Sequence, residues 1–363
     1  MRRKVILLGP LPPPYGGVSV FMDAAFERLK ADGARMWALF GDASAPDPRL
    51  RRVRHRRFGI IPALLSEGRG ARILDATHFH LEYPNKFLLP VWLAARRALG
   101  FEWIKIVLDG SLPTRHARFG RVQRKLFRTA VAAVDEFVVV HEDLRRWLQD
   151  EIKVRQRVTV IPCLLPVPRK SFDAPLAPDA EAALAAYLER PRRVCSVGVF
   201  IREYGFGDAA RAVELLRESS GEDIGLARLD GTFARDEEYR AETLRGRDWI
   251  TVLENVPNPQ VYQILKRGDA FVRAFGLESY GISRVEALWC GVPVVATRAG
   301  ETRGLLLYDY GDAVGLAAQL RAALDSPPRA EIARWAAVYR REAEANLEAL
   351  RRVAFAAEGN DER

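Results

Sequence analysis

Short apolar runs rich in β-branched residues alternate with amphipathic, helix-like stretches along the whole chain. The runs of the first half lie at 5–8, 36–40, 75–80, 103–108, 136–140 and 158–161, and those of the second half at 194–199, 224–229, 250–253, 270–273 and 292–296. Strands that alternate with helices are typical of βαβ units and a parallel sheet. The pattern therefore predicts an α/β protein with two doubly wound domains.

The length of the chain also favours two domains, because 363 residues exceed what one hydrophobic core usually holds. Proline and alanine are frequent between 162 and 191, which indicates a linker that contains a short helix. We predict an N-terminal domain over 1–165, a linker over 166–190 and a C-terminal domain over 191–337.

The last part of the chain has helical periodicity from about 329 to 357. A helix of this length, at about 1.5 Å per residue, can reach from one domain to the other. We therefore expect a helix that crosses back to the first domain and adds residues 338–363 to it.

Several classes of protein are disfavoured by composition. No apolar run approaches the roughly 20 residues that cross a bilayer. The apolar run after Lys4 ends at Gly9 and Pro10, which is too short for a signal peptide. The three cysteines are too scattered for a disulfide framework or a zinc site. We expect a cytoplasmic protein without a structural metal.

Positive charge is concentrated in the first half. Residues 1–165 carry a net charge of +13 and residues 166–363 a net charge of −4. Two interpretations of this charge stay open. It can attract anionic lipid headgroups, where each cation contributes about 1 kcal/mol, or it can be an ordinary solvated surface. Nucleic acid is disfavoured because no aromatic-studded recognition motif accompanies the charge. The cations form a dense run at Arg49, Arg51, Arg52, Arg54, Arg56 and Arg57, and a second band at Arg115, Arg118, Arg121, Arg124, Lys125 and Arg128.

A glycine pair, Gly16 and Gly17, lies between the first predicted strand and the first predicted helix. Glycine lets a backbone approach a ligand closely, and a helix N-terminus offers free N–H groups to a phosphate. The loop is therefore a candidate ligand site, with an ordinary turn as the alternative. It lacks the lysine of a P-loop, which argues against an NTPase.

A second candidate site combines a loop and a helix near the end of the chain. Glu278 lies in the loop, and Glu286 lies inside the helix that begins near Gly281. Glu278 can accept hydrogen bonds from sugar hydroxyls, and Glu286 can reach the vicinal diol of a ribose. We expect the amides of Ser279, Tyr280 and Gly281 to face phosphates between these two ends.

This stretch resembles the glutamate-x7-glutamate signature of the family 4 retaining glycosyltransferases, with Glu278 and Glu286 at the glutamate positions. The run at 291–297, the pair Gly16–Gly17 and the segment 250–269 also fit the family. The resemblance implies the GT-B fold, in which two Rossmann-like domains face a cleft. It also implies a nucleotide-diphosphate sugar as co-substrate, without a cofactor. Glu278 would contact the donor sugar and Glu286 the ribose.

The chain departs from that family where the donor diphosphate is neutralised. Members carry a G-R-x4-K-G pattern, but this chain has Val199 and Tyr204 after Gly198 at the arginine and lysine positions. Arg202 is the only nearby cation in the sequence. It can pair with a phosphate, or it can be a loop surface charge.

A second departure concerns the histidine that many members place at the end of a first-domain strand. Leu108 occupies that position, and Asp109 follows it. Asp109 can orient or deprotonate an acceptor hydroxyl, or it can cap a turn. His78 and His80 are a second candidate pair, which strand alternation would place on one face.

Taken together, these patterns predict a metal-independent retaining transferase that moves a sugar to a hydroxyl of a glycan or lipid-linked acceptor, in bacterial cell-surface polysaccharide or glycoconjugate synthesis. The predicted catalytic residues are Glu278, Asp109 and Arg202. A non-catalytic GT-B binding module is the alternative, motivated by the missing cations and histidine. A G-x-G-x-x-A string at 205–210 favours an NAD(P)-dependent oxidoreductase less strongly, because it starts several residues past its strand.

Overall fold

The computed structural model of the chain describes residues 3–41, 47–53, 59–232 and 234–356. The chain forms two compact units. The first domain comprises Met1–Pro13, Gly17–Leu165 and Ala343–Arg363, and the second comprises Pro14–Gly16 and Pro166–Glu342.

The first domain contains a seven-stranded parallel sheet with the strand order β3-β2-β1-β4-β5-β6-β7. Every residue of β1 is buried, as both faces of a parallel sheet are covered by helices. The strands are β1 (Val5–Gly9), β2 (Arg35–Ala38), β3 (Leu50–Arg52), β4 (Arg72–Asp75), β5 (Glu102–Val107), β6 (Glu136–Val139) and β7 (Arg157–Val160). The helices are α1 (Gly17–Leu29), α2 (Ile61–Glu67), α3 (Leu88–Leu99), α4 (Leu112–Ala117), α5 (Arg121–Ala133) and α6 (Glu142–Arg146).

The second domain contains a six-stranded parallel sheet with the order β10-β9-β8-β11-β12-β13. Its strands are β8 (Arg192–Gly198), β9 (Ile224–Asp230), β10 (Ile250–Glu254), β11 (Ala270–Arg273), β12 (Val294–Thr297) and β13 (Leu306–Tyr308). Its helices are α7 (Pro178–Leu188), α8 (Phe206–Ser220), α9 (Glu237–Leu244), α10 (Asn258–Lys266), α11 (Ile282–Trp289) and α12 (Ala313–Asp325). Residues of α8 and α12 pack with β9 and β11 in one buried core.

The last helix, α13 (Arg329–Phe355), belongs to both domains, and the division falls after Glu342. In the second domain the Tyr339 hydroxyl donates a hydrogen bond to Arg303 O at 2.9 Å. In the first domain Asn346 Nδ2 donates to Leu164 O at 3.0 Å. Over the described ranges, no helix is both long and apolar enough to cross a membrane.

Both sheets change strand order at their centre, so the predicted pair of doubly wound, Rossmann-like domains is confirmed. In such sheets ligands bind beyond the carboxyl ends of the strands where the order reverses. Those strands are β1 and β4 in the first domain and β8 and β11 in the second.

One predicted strand is wrong. The run at 75–80 was expected to be extended, but β4 ends at Asp75, because Asp75 Oδ1 accepts the N–H of Thr77 at 2.8 Å and turns the chain. His80 has a φ of 72°, outside the strand region. His78 and His80 therefore do not share a strand face.

Two positions on α12 should differ greatly in how much an alanine substitution lowers the free energy of unfolding. Leu320 is fully buried, whereas Val314 is 70% exposed. We expect Leu320→Ala to lower the free energy of unfolding by about 2–5 kcal/mol, since it removes packed methyl groups and leaves a cavity. Val314→Ala should change it by less than about 0.5 kcal/mol. Urea unfolding measures both, and equal losses would contradict this packing.

Candidate active site

The second-domain site is built where β8 and β11 end. Gly198 is the last residue of β8, and Arg273 is the last residue of β11. The loop after Arg273 carries Glu278 and leads to α11, which carries Glu286. The two glutamates of the sequence motif therefore lie after the switch-point strand, on the loop and helix that follow it.

Glu278 is held by an ion pair with Arg273. Arg273 Nε donates to Glu278 Oε2 at 2.5 Å, and both side chains are nearly buried. Arg273 Nη1 also donates to Val197 O at 2.6 Å. The guanidinium carbon lies 4.9 Å from the ring centroid of Tyr204, which stacks on Phe275 at 4.1 Å. Arg273 thus connects the end of β8 with the Glu278 loop.

The turn into α11 requires glycine. Gly281 has a φ of 87°, a left-handed conformation that side chains rarely adopt. A Cβ atom there would come within 2.9 Å of Arg284 Cδ and 3.1 Å of Glu278 Cγ. The absent side chain leaves room for Glu278 and Arg284, which both pack against this turn.

Glu286 lies in a buried niche with one oxygen engaged. The Tyr262 hydroxyl donates to Glu286 Oε1 at 2.9 Å, and Asn258 Nδ2 donates to the same oxygen at 3.3 Å. Burial raises the pKa of the Glu286 carboxyl, and these two hydrogen bonds oppose the rise. In the part of the chain that the structure describes, Oε2 accepts no hydrogen bond. It is the oxygen that a ligand can use.

The other predicted residues of this loop differ in accessibility. Tyr280 is buried, and its carbonyl oxygen accepts the N–H of Glu301 at 2.9 Å. Ser279 is half-buried, between Glu278 and Tyr280. Tyr280 therefore contributes its backbone and packing to the loop.

Arg202 lies on the surface. Its Nη2 donates to Glu242 Oε2 at 3.2 Å, its side chain is 63% exposed, and its guanidinium lies over the ring of Tyr239. This geometry agrees with the interpretation of Arg202 as a surface charge of the loop. Gly205 lies between the short turn Arg202–Tyr204 and α8, which begins at Phe206, so the string at 205–210 does not directly follow β8.

Arg228 and Arg273 are site residues that the motif analysis missed. Both are buried charged residues in mostly apolar strands, although β9 also ends with the buried Asp230. That departure from the strand pattern was the available signal, because a buried charge needs a partner or a ligand.

In the first domain, the loop after β1 precedes α1, which begins at Gly17. A Cβ atom on Gly17 would meet no atom within 4 Å, so the helix start is open on that side. Gly16 comes directly before the helix, in the short segment 14–16 that belongs to the second domain.

An apolar pocket lies at the carboxyl ends of β1 and β4, with α2 and α3 at its walls. His80 lines it, is 5% exposed, and its Nδ1 has no hydrogen-bond partner among the described residues. Burial lowers the pKa of His80 to about 4, so the ring is neutral at pH 7. Among the apolar residues of the lining are Leu39, Ile61, Leu64, Leu88 and Trp92.

Asp109 caps a turn. Its Oδ1 accepts the N–H of Ser111 at 2.8 Å, and Arg115 Nη2 lies 3.5 Å from its Oδ2. Of its two sequence interpretations, this geometry shows the turn-capping one.

The basic run predicted for an acceptor or membrane is only partly described. Arg51 pairs with Glu67 at 2.8 Å, and Arg52 is exposed. Arg54, Arg56 and Arg57 lie outside the described residues. Helix α5 instead presents four exposed cations, and none of them pairs with a carboxylate in the described ranges; they are Arg121, Arg124, Lys125 and Arg128.

A buried charged cluster lies beside the His80 pocket. Lys105 Nζ is 3.4 Å from Asp75 Oδ2 and 3.9 Å from Glu82 Oε2. Burial raises the pKa of Glu82 to about 7, although the charge of Lys105 opposes this. Among the described residues, no group of three His, Cys, Asp or Glu side chains is arranged to hold a metal ion.

Residues 185–332 match the family model described as Glycosyl transferases group 1, which covers less than half of the chain. No curated protein sequence matches the chain. Similar solved structures include sucrose-phosphate synthase from Thermosynechococcus elongatus, with 18% identity, coverage of 96% of this chain and 95% of that chain, and a TM-score of 0.66.

Two further structures are similar over nearly their whole length. One is an α,α-trehalose-phosphate synthase (UDP-forming) from Burkholderia xenovorans in complex with glucose-6-phosphate, with 15% identity, coverage of 96% and 99%, and a TM-score of 0.69. The other is HepE from Anabaena in complex with UDP and glucose, with 13% identity, coverage of 98% and 100%, and a TM-score of 0.71. The chain therefore has the GT-B fold, and its second domain carries the group 1 glycosyl transferase pattern.

Glu82 predicts a pH-dependent stability. Its folded-state pKa of about 7 exceeds the ordinary 4.5, so the folded protein holds a proton that the unfolded chain releases. The bound proton contributes its full share to the free energy of unfolding below about pH 4.5. This contribution falls as the pH rises towards 7, by up to about 1.4 kcal/mol per pH unit. Glu82→Gln should gain stability relative to the wild type over that window. Urea unfolding between pH 4.5 and 8 measures this, and parallel profiles would contradict it.

Proposed function

We propose that this protein is a retaining glycosyltransferase of the family 4 type, which transfers a sugar from a nucleotide-diphosphate sugar to an acceptor hydroxyl. The observation that supports it most is the placement of Glu278 and Glu286 after the switch-point strand, inside the segment that matches the group 1 pattern. Ligands of doubly wound sheets bind at this place, whereas two glutamates with the same spacing on an unrelated surface helix would not lie there.

The two glutamates have different roles in this proposal. Glu286, fixed through Oε1 by Tyr262 and Asn258, presents Oε2 to the ribose diol. Glu278, fixed by Arg273, accepts a hydrogen bond from a donor-sugar hydroxyl. Both carboxylates bind and orient the donor, and neither acts as a nucleophile, in contrast with retaining hydrolases.

Transfer proceeds on the face from which the diphosphate leaves. The bond between the sugar C1 and the diphosphate oxygen breaks, and C1 bonds to the acceptor oxygen. The acceptor proton passes to an oxygen of the departing diphosphate. Hydrogen-bond donors of the protein that point at that diphosphate stabilise its developing negative charge. This mechanism therefore requires no metal ion.

The acceptor in this proposal carries an apolar group, as a lipid-linked glycan does. The His80 pocket supports this, because apolar side chains line it and one buried nitrogen remains without a partner. An acceptor hydroxyl can donate to that nitrogen while the apolar part fills the pocket. Such an acceptor fits cell-surface polysaccharide or glycoconjugate synthesis at the cytoplasmic face of a membrane.

The glutamate roles predict a separation of binding from turnover. Glu286→Gln should weaken nucleoside diphosphate binding about 10- to 100-fold, since it loses a charge-assisted hydrogen bond. Glu278→Gln should keep that affinity and lower transfer. A thermal-shift panel of nucleotide sugars identifies the donor, because a ligand at 100 Kd stabilises by about 2.7 kcal/mol.

Calorimetry and single-turnover transfer in excess EDTA measure these two effects. Equal loss of both properties in both variants would contradict the assigned roles. Donor binding by the wild type without any turnover would identify a non-catalytic binding module, and activity that returns only with Mg²⁺ or Mn²⁺ would contradict the metal-free mechanism.

The exposed cations of α5 predict binding to anionic vesicles that weakens as salt rises, because screening acts over about 10 Å at 0.1 M salt. The double variant Arg121→Gln/Arg124→Gln should lower co-sedimentation with anionic vesicles. Arg145→Gln/Arg146→Gln is the matched control, since those two arginines pair with Glu142 and Asp143. Equal loss in both variants would mean that net charge, and not α5, attracts the vesicle.

A further inference from the structure

Three buried arginines lie near the ends of β8 and β11. Arg228 comes from β9, Arg273 from the end of β11 and Arg284 from α11, and they are 1%, 9% and 0% exposed. Arginine is rarely buried without a charged partner, so three in one region need a physical reason.

Arg228 lies directly against the end of β8. Its Nη2 donates to Val199 O at 2.8 Å, and its Nη1 donates to Ser196 Oγ at 3.0 Å. A Cβ atom on Gly198 would come within 2.9 Å of Arg228 Nη2. The guanidinium is therefore adjacent to the turn that follows β8, where the family pattern places its diphosphate contacts.

Arg284 is fixed beside the turn at Gly281. Its Nη1 donates to the carbonyl oxygens of Ala299 and Glu301, and its Nη2 donates to Thr297 Oγ1 at 3.0 Å. These acceptors are neutral, so Arg284 forms no ion pair within the described ranges, although the charge of Glu278 acts on its pKa.

The cluster carries excess positive charge. Within the described ranges, Glu278 is the only carboxylate in an ion pair with any of the three arginines. Burial is the main cause that lowers the pKa of Arg228 and of Arg284 to about 10. Repulsion from Arg273 acts in the same direction, and the charges of Asp230 beside Arg228 and of Glu278 beside Arg284 oppose the fall. Such an arrangement costs free energy until an anion arrives.

The two positions that carry cations in the family pattern cannot supply this charge. Val199 is apolar and fully buried, and Tyr204 stacks on Phe275 beneath the guanidinium of Arg273. Arg202 is engaged by Glu242 on the surface.

We propose that Arg273, with Arg228 and Arg284 behind it, neutralises the donor diphosphate in place of the cations missing at 199 and 204. Arg273 is the most exposed of the three and makes the direct contact, while the other two act through their charge. This inference rests on the proposed function, since it assigns the diphosphate subsite of that same donor site.

The test measures the phosphate-dependent part of nucleotide affinity. UDP, GDP and ADP are first tested for the increase in melting temperature that each gives the wild type. Calorimetry then measures the affinity for the nucleotide with the largest increase and for the corresponding nucleoside. We expect Arg273→Gln to weaken nucleoside diphosphate binding about 10- to 100-fold, as for a lost charged hydrogen bond, and to leave nucleoside binding unchanged. Diphosphate binding should also depend less on salt in the variant.

Three further variants give the result its specificity. Arg298→Gln, at an exposed arginine paired with Asp309, is the neutral control. Arg202→Gln is the competing candidate, and should bind like the wild type. Arg273→Gln/Glu278→Gln removes both members of the buried pair, so a loss of diphosphate affinity in this double variant, with the melting temperature retained, separates binding from misfolding.

The outcomes distinguish the two levels of the proposal. If the wild type binds no nucleoside diphosphate, the proposed function fails and the subsite fails with it. If the wild type binds and the double variant binds equally well, or if Arg202→Gln loses as much affinity, the proposed function stands and the Arg273 subsite is overturned.

Discussion

Parallel strand pairing is the constraint on which the rest of this molecule depends. Each pair of parallel strands needs a crossover connection, which is usually a helix that packs on a face of the sheet. Helices therefore bury both faces, and the loops that follow the strands lie together at the carboxyl edge. At that edge backbone groups are no longer used by the sheet, and polar side chains have room to meet. Arg273 and Glu278 come together there because one ends β11 and the other lies in the loop that follows.

Strand alternation could be read from the sequence wherever a run of apolar residues was long. The strands β5, β6 and β11 begin and end within one residue of their predicted bounds. The three-residue edge strands β3 and β13 could not be predicted, because so short a run carries no pattern. The error at 75–80 has another cause. Ala76 and Phe79 follow Asp75, but a side-chain hydrogen bond from Thr77 N–H to Asp75 ends the strand, and periodicity contains no information about such a bond.

The glutamate motif could be located from the sequence because its residues are close along the chain. The arginine cluster could not, because Arg228 and Arg284 are far apart in sequence and each comes near Arg273 only after β9 and α11 have packed. The two domains also differ in how they bury charge. In the first, Lys105 is balanced by Asp75 and Glu82, whereas in the second, within the described ranges, Arg273 pairs with Glu278 and neither Arg228 nor Arg284 forms an ion pair. The first arrangement is self-sufficient, and the second leaves a charge for a ligand to complete.

The shared helix α13 has a consequence for the order in which the protein matures during translation. The first domain includes residues that precede and residues that follow the second domain in sequence, and Arg72 Nη1 donates to Val353 O at 2.9 Å. A nascent chain leaves the ribosome from its N-terminus, so the first domain to be synthesised lacks its last helical turns until the whole second domain has been made. The hydrogen bonds between α13 and the rest of the first domain therefore form only after the second domain has been synthesised.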